Sequence, residues 1–175
     1  ISGEIVVMRC VAANATWVVD HDGRIPQKGL LRVSTTGLST AAASWITVGS
    51  ENTTPAVLTA DIDVGCVADT ANAKLTVRRA GRYSACATAG PSAAVTGGNQ
   101  YGVSIWLNGT STPLAVTLNT ESGTFLSKRE AMAQLVPLAA GDYLLYRYYQ
   151  QEASRGILTQ STPRADAQMS VFEVL

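Results

Sequence analysis

The chain has a single histidine, His21, and it stands between two carboxylates, Asp20 and Asp22. An imidazole beside a carboxylate is the beginning of a general-base relay: the carboxylate orients the ring, and the ring takes the proton of a nucleophile. The three residues here are consecutive, and no Gly-x-Ser-x-Gly nucleophile elbow occurs anywhere in the chain. His21-Asp22-Gly23 therefore reads as a solvated hairpin turn, with Asp22-Gly23 suited to positive φ. Asp61 and Asp63 fall on one side of a predicted strand. Two carboxylates so placed could serve glycoside hydrolysis, or bind calcium together with loop carbonyls. They also fit an exposed strand face with no ligand, so the expectation is no metal, with Asp61 and Asp63 the residues that would hold one. No phosphate-binding glycine loop is present, and no cofactor is expected. Cys10, Cys66 and Cys86 make an odd count whose spacing matches no zinc pattern or disulfide framework. They read as three buried small apolar side chains, with one pair plus a spare thiol as the alternative. Asn14-Ala15-Thr16, Asn52-Thr53-Thr54 and Asn108-Gly109-Thr110 fit the glycosylation acceptor pattern, but a Ser/Thr-rich chain produces such triplets by chance.

Chemistry being sparse, the elements that would carry it matter more. The 175 residues are 46% hydrophobic and 15% charged, with formal net charge zero. Ordinary domains carry about 25% charged residues, so this composition suits a chain that buries much of itself, often in an oligomer. No basic balance argues for nucleic acid, and no apolar run approaches the ~20 residues of a membrane helix. A chain opening on Ile1 with nothing like a signal peptide is expected to be a processed fragment. Short apolar or alternating runs recur at intervals, broken by Gly, Pro, Asn and Asp: residues 4–11, 16–20, 30–34, 44–48, 56–63, 73–78, 82–89, 101–109, 113–118, 142–150 and 169–175. That rhythm predicts an all-β sandwich or barrel. Residues 127–136, SKREAMAQLV, break it. Ser127 and Glu130 have capping-box spacing, Ala and Met favour helix and Pro137 would stop one, so local propensity puts helix slightly ahead of strand. Residues 39–46 are similarly ambiguous, and 87–100, with Pro91 and paired glycines, reads as a loop.

Taken in order, the pieces carry a resemblance. AKLTVRRAGRYSACATA is a strand, a tight Ala-Gly turn and a Gly-x-Tyr opening the next strand; YGVSIWLNG is a strand ending in Asn-Gly; VPLAAGDYLLYRYYQ holds a Gly-Asp turn before an aromatic strand; MSVFEVL closes the chain. Over about residues 44–175 this series resembles the tumour-necrosis-factor-like jelly roll, in particular the globular head of complement subcomponent q and its bacterial and viral relatives. The resemblance implies a strand, not a helix, before Gly141-Asp142. It also implies a homotrimer packed along a three-fold axis. Residues 1–43 lie outside the match and read as a small β connector, leading to a fibre or spike shaft upstream.

Four of the six tyrosines crowd into 142–150. Alternation puts Leu144, Tyr146 and Tyr148 on one face and Tyr143, Leu145 and Tyr149 on the other, so both faces are apolar. One face in a core and the other in a subunit interface would explain this, and so would burial between the sheets of a monomer. Interface candidates are thus Tyr143, Tyr146, Tyr148 and Tyr149, with Phe172 on the closing strand. Long loops at 87–100, 119–128 and 151–167 would carry binding residues, and the receptor candidates are Glu152, Ser154, Arg155, Gln160, Arg164, Asn99 and Gln100. Three copies of a weak site would hold a target by multivalency. Unpaired cysteines suit a product made in a reducing cytoplasm. The expected function is the non-enzymatic head of a virion or phage spike, tail fibre or adhesin, recognising a host cell-surface glycan or protein. A secreted, extracellular cytokine-like or complement-like ligand is the alternative. A capsule-degrading enzyme with its site between subunits is a third reading.

Overall fold

The computed structural model describes residues 5–12, 16–23, 26–35, 38–39, 43–48, 52–54, 57–91, 96–120, 129–152, 157 and 167–174. Every regular element among them is a β-strand. β1 (Ile5–Ala12) and β2 (Thr16–Gly23) come first, followed by β3 (Lys28–Thr35), β4 (Leu38–Ser39), β5 (Ser44–Thr47), β6 (Asn52–Thr54) and β7 (Val57–Val64). The remainder are β8 (Cys66–Asp69), β9 (Lys74–Val77), β10 (Gly81–Ala89), β11 (Gln100–Leu107), β12 (Pro113–Thr120), β13 (Arg129–Leu138), β14 (Tyr143–Gln150) and β15 (Gln168–Val174).

Two antiparallel sheets make a jelly-roll sandwich. One has the order β13-β10-β15-β3-β7; the other runs β12-β11-β14-β9-β8, with β5 pairing the far end of β14. β1 and β2 form a two-stranded sheet of their own, and β4 pairs β6. His21 and Asp22 lie inside β2, opposite Val7 and Val6, and not in a turn between strands. β3 falls within the segment that the division at 43/44 assigned to the connector. It hydrogen-bonds between β15 and β7, with Leu31 and Val33 in the core, so the sandwich begins well before residue 44.

The core explains the aromatic strand. On β14, buried and half-buried residues alternate without a break. Tyr146 and Tyr148 point inward and meet Tyr101, Val103, Ile105 and Leu75 of the same sheet in one buried cluster. The facing sheet supplies small side chains there, Ala85, Ala87 and Ala89 on β10 and Ala131 on β13. Large rings opposite alanines fill the space between sheets at ordinary packing density. The Tyr146 hydroxyl donates to the Thr88 carbonyl across the sandwich at 2.6 Å. This complementarity makes 129–138 a strand. Its alanines have high helix propensity, but as a helix they could not place Ala131 and Ala133 inward beside β10, to which they are paired. β13 does carry an irregularity: a register shift opposite Ser84 leaves Leu135 at φ 53°.

Candidate binding surface

The outward face of the five-stranded sheet is built by alternation from residues that the core cannot take. Met132, Cys86, Ser170, Leu30 and Ile62 stand abreast across all five strands. In the neighbouring row, Ser84, Phe172, Lys28 and Val64 stand abreast across four of them, β10, β15, β3 and β7. Phe172 is 47% exposed and Met132 51%, and Ile62, Val64 and Val174 are exposed as well. A groove of about 410 Å³ runs over this face, lined by Pro26, Lys28, Leu30, Ile62, Ser170 and Phe172 among others. Large apolar side chains gathered on one exposed sheet face are the kind of surface that proteins use for contact. Further exposed apolar residues, Val116 and Leu118 on β12 and Leu135 on β13, lie along the adjoining edge of the sandwich. There the Thr117 hydroxyl donates to the Glu130 carbonyl and joins the two sheets.

A buried polar cluster holds the groove's floor. Glu173 on β15 is paired with Arg79 through two of the guanidinium's nitrogens, and it also accepts the Gln27 backbone N–H at 3.1 Å. The Gln27 side chain accepts from the Arg78 N–H at 2.9 Å, and the Tyr83 hydroxyl donates to the Arg79 carbonyl at 2.7 Å. The hydrogen bond from Arg79 to Glu173 raises the arginine's pKa further. Burial pushes the Tyr83 hydroxyl up to about 12, with the Glu173 charge adding to it. The cluster ties β15 to β3 and to the β9–β10 turn, fixing Phe172 beside it.

The opposite sheet bears a different surface. Tyr143, Leu145, Arg147 and Tyr149 project outward from β14. Trp45 on β5 pairs with Tyr149, ring centroids 5.3 Å apart and planes tilted by 49°. The Arg147 guanidinium lies 4.6 Å from the centre of the Trp106 ring, and the Trp106 Nε1–H donates to the Ser104 hydroxyl at 2.7 Å. Lys74 sits over Tyr143 at 5.1 Å.

The expected site residues divide accordingly. Tyr146 and Tyr148 are enclosed within the protomer, at 0% and 2% exposure, so they are core and not interface residues. Tyr143 and Tyr149 lie on the outer face of one sheet and Phe172 on the outer face of the other; the interface candidates do not form one surface. Asn99, Gln100 and Glu152 come together at one end. The Glu152 carboxylate accepts from the Thr96 N–H and the Asn99 amide, both at 2.6 Å. Gln100 takes its contacts from the Gln151 side chain and the Thr120 hydroxyl. Ser154, Arg155, Gln160 and Arg164 lie outside the described residues, although Ile157 between them is buried in the core. Asp61 and Asp63 are in β7, their side chains outside the described set; among the described residues no group of three His, Cys, Asp or Glu could hold a metal. Cys66 is buried as expected, and Cys86 is not. It is half-buried on the outward face, its thiol donating to Glu130 at 3.3 Å. The side chain of Cys10 is outside the described residues. Sequence reasoning missed Arg147, Trp106 and Trp45 as a group. Only the register that puts β5 and β11 on either side of β14 brings them together.

The architecture is that of the tumour-necrosis-factor-like jelly roll. It is similar to the crystal structure of murine APRIL at pH 8.0, with a TM-score of 0.55 and 10% identity over 86% of this chain and 100% of that one. It is also similar to murine APRIL at pH 5.0, with a TM-score of 0.52, 10% identity and coverage of 85% and 100%. Eiger TNF from S. frugiperda gives 0.48, at 8% identity over 87% and 94%. At such identities the likeness is one of fold. No protein-family model matches the chain, and no curated protein sequence matches it.

Proposed function

We propose that this chain is the receptor-binding head of a homotrimer, serving a virion or phage spike, tail fibre or adhesin in attachment to a host cell surface. The observation that carries the reading is the outward face of the five-stranded sheet, on which Phe172, Met132, Ile62, Val64 and Val174 are all exposed. The apolar edge along β12 and β13 points elsewhere on the same protomer. Two unlike apolar surfaces suit a head-to-tail contact that closes into a ring, whereas a two-fold dimer would use one surface twice. Three is the number that the jelly-roll resemblance implies. Assembly then presents three copies of the polar end formed by Asn99, Gln100 and Glu152, and weak individual contacts add by multivalency. Localisation at the virion surface or tail follows from this reading, as does a shaft as upstream partner.

The likeness in fold to murine APRIL supports a second reading, a secreted cytokine-like or complement-like ligand. Incubating the fluorescently labelled chain with panels of bacterial and animal cells separates the two. Saturable binding to bacterial cells that is lost with a monomeric variant supports the attachment head. Binding confined to animal cells supports the ligand, and release of sugar from capsular polysaccharide would overturn the non-enzymatic reading.

A further inference from the structure

The Arg147 charge meets an aromatic face and, among the described residues, no carboxylate. The Arg147 Nε is buried without a hydrogen-bond partner, and the guanidinium carbon lies over the Trp106 ring. Salt bridges elsewhere in the protein are made in the ordinary way, as Lys74–Asp69 and Arg79–Glu173 show. A guanidinium resting over an aromatic ring keeps its terminal N–H donors for other partners, and their fork suits bidentate capture of a carboxylate.

What surrounds it defines the rest of the ligand. Arg147 stands abreast of Ser104 and Thr47, and the next outward residue on β14 is Tyr149, abreast of Trp45 and Gly102. Gly102 is buried, and a Cβ there would run into the Thr117 carbonyl and Leu118, so β12 packs close against β11 beside Tyr149. One row further lies Gln100, hydrogen-bonded to Thr120 and to Gln151. Half-exposed aromatic rings offer a flat apolar platform to the C–H face of a sugar ring, while amides and hydroxyls at the margin match its hydroxyls.

We propose that the outer face of the six-stranded sheet, centred on Arg147, Tyr149 and Trp45, binds a sugar bearing a carboxylate, of the sialic or uronic acid class. The inference rests on the attachment reading and gives that reading a ligand class, placed on the sheet beside Gln100 and not in the loops. The carboxylate lies across the Arg147 fork and the ring stacks on Tyr149, with Trp45 at its edge.

Titration of the whole chain, followed by tryptophan fluorescence, tests it with sialyllactose, a glucuronate-ended disaccharide, lactose and inorganic phosphate as probes. The expected result is a saturable response to an acidic sugar, at least about tenfold tighter than to lactose, a charge-assisted hydrogen-bond difference of about 1.4 kcal/mol. Phosphate at equal concentration should not displace it. Arg147→Met keeps the stem packed on Trp106 and should abolish the preference for acid over neutral sugar; Arg147→Lys should keep part of it. Tyr149→Leu, which leaves the charge in place, should weaken both sugars and gives a second check should Arg147→Met fail to fold. No saturable response to either acidic sugar, equal affinity for lactose, or full displacement by phosphate would overturn the site. Cell binding measured in parallel keeps the two claims apart. An Arg147→Met protein that still binds cells overturns this site and leaves the attachment reading standing. A native protein that binds acidic sugar and no cell supports the site and sinks attachment.

Discussion

Asn108 and Asp142 lock two turns together at one end of the sandwich. The Asn108 amide donates to the Asp142 carboxylate at 2.7 Å, and its carbonyl accepts the Tyr143 backbone N–H at 2.9 Å. The other Asp142 oxygen accepts the Ala139 N–H at 2.8 Å, closing its own turn. Asn108 and Gly109 have φ of 50° and 66°, the left-handed pair of a tight hairpin turn. The Asn-Gly and Gly-Asp signals, 33 residues apart in sequence by the difference of 108 and 141, are therefore one device that sets where the aromatic strand begins.

Asn108→Ala should lose about 1–2 kcal/mol in urea unfolding, because it removes both hydrogen bonds and puts a Cβ-bearing residue without local compensation at positive φ. Asn108→Gly loses the same bonds but tolerates the backbone, so it should cost less. Equal losses would mean that the side-chain bonds, not the backbone, set the whole effect.

Arg79→Met should cost about 3 kcal/mol, since it leaves the enclosed Glu173 carboxylate without its cation. Arg79→Met with Glu173→Gln should be less damaging than the sum of the two single changes. Chemical denaturation of the four proteins in a double-mutant cycle measures this; simple additivity would show that the two groups are not coupled.

Stability should decline at alkaline pH through the tyrosines. Burial raises the pKa of Tyr83 to about 12, and it raises those of Tyr146 and Tyr148 well above the ordinary value as well. The unfolded chain releases these protons near the ordinary value of 10, before the folded chain does. Their contribution is thus complete below pH 10 and is lost as pH rises through 12. Tyr83→Phe should flatten part of that decline, at a cost of about 1 kcal/mol at neutral pH for the lost hydrogen bond to Arg79. Tyrosinate absorbance should appear for these residues together with unfolding. Its appearance for all six tyrosines in a chain still folded would contradict the burial argument.

How much of this was legible in the residues depends on what each signal encodes. Turns are local, and Asn108-Gly109 and Gly141-Asp142 announced themselves through residues that tolerate positive φ. The two faces of 142–150 followed from alternation, but their partners did not. Nothing near Tyr146 in sequence says that alanines on β10 and β13 await it across the core. The helix-like composition of 127–136 is the same fact from the other side, since those alanines are small to make room for tyrosines, not to favour a helix. From sequence β3 reads as part of a connector because its partners, β15 and β7, are one distant and one near, and register between strands leaves no mark in a short run such as KGLLRVST. The outer aromatic face was missed because Trp45, Trp106 and Arg147 come from three separate strands.

Assembly through the five-stranded sheet is the claim on which the rest depends, and mass measured by light scattering at micromolar concentration tests it most directly. The account predicts three protomers for the native chain. It predicts one for Phe172→Glu with Met132→Glu, two charges on the exposed face that leave the core and the far-ultraviolet circular dichroism unchanged. Tyr143→Ser with Tyr149→Ser, on the opposite sheet, should remain trimeric. A native chain that already runs as a monomer, or a trimer indifferent to both glutamates, would contradict it.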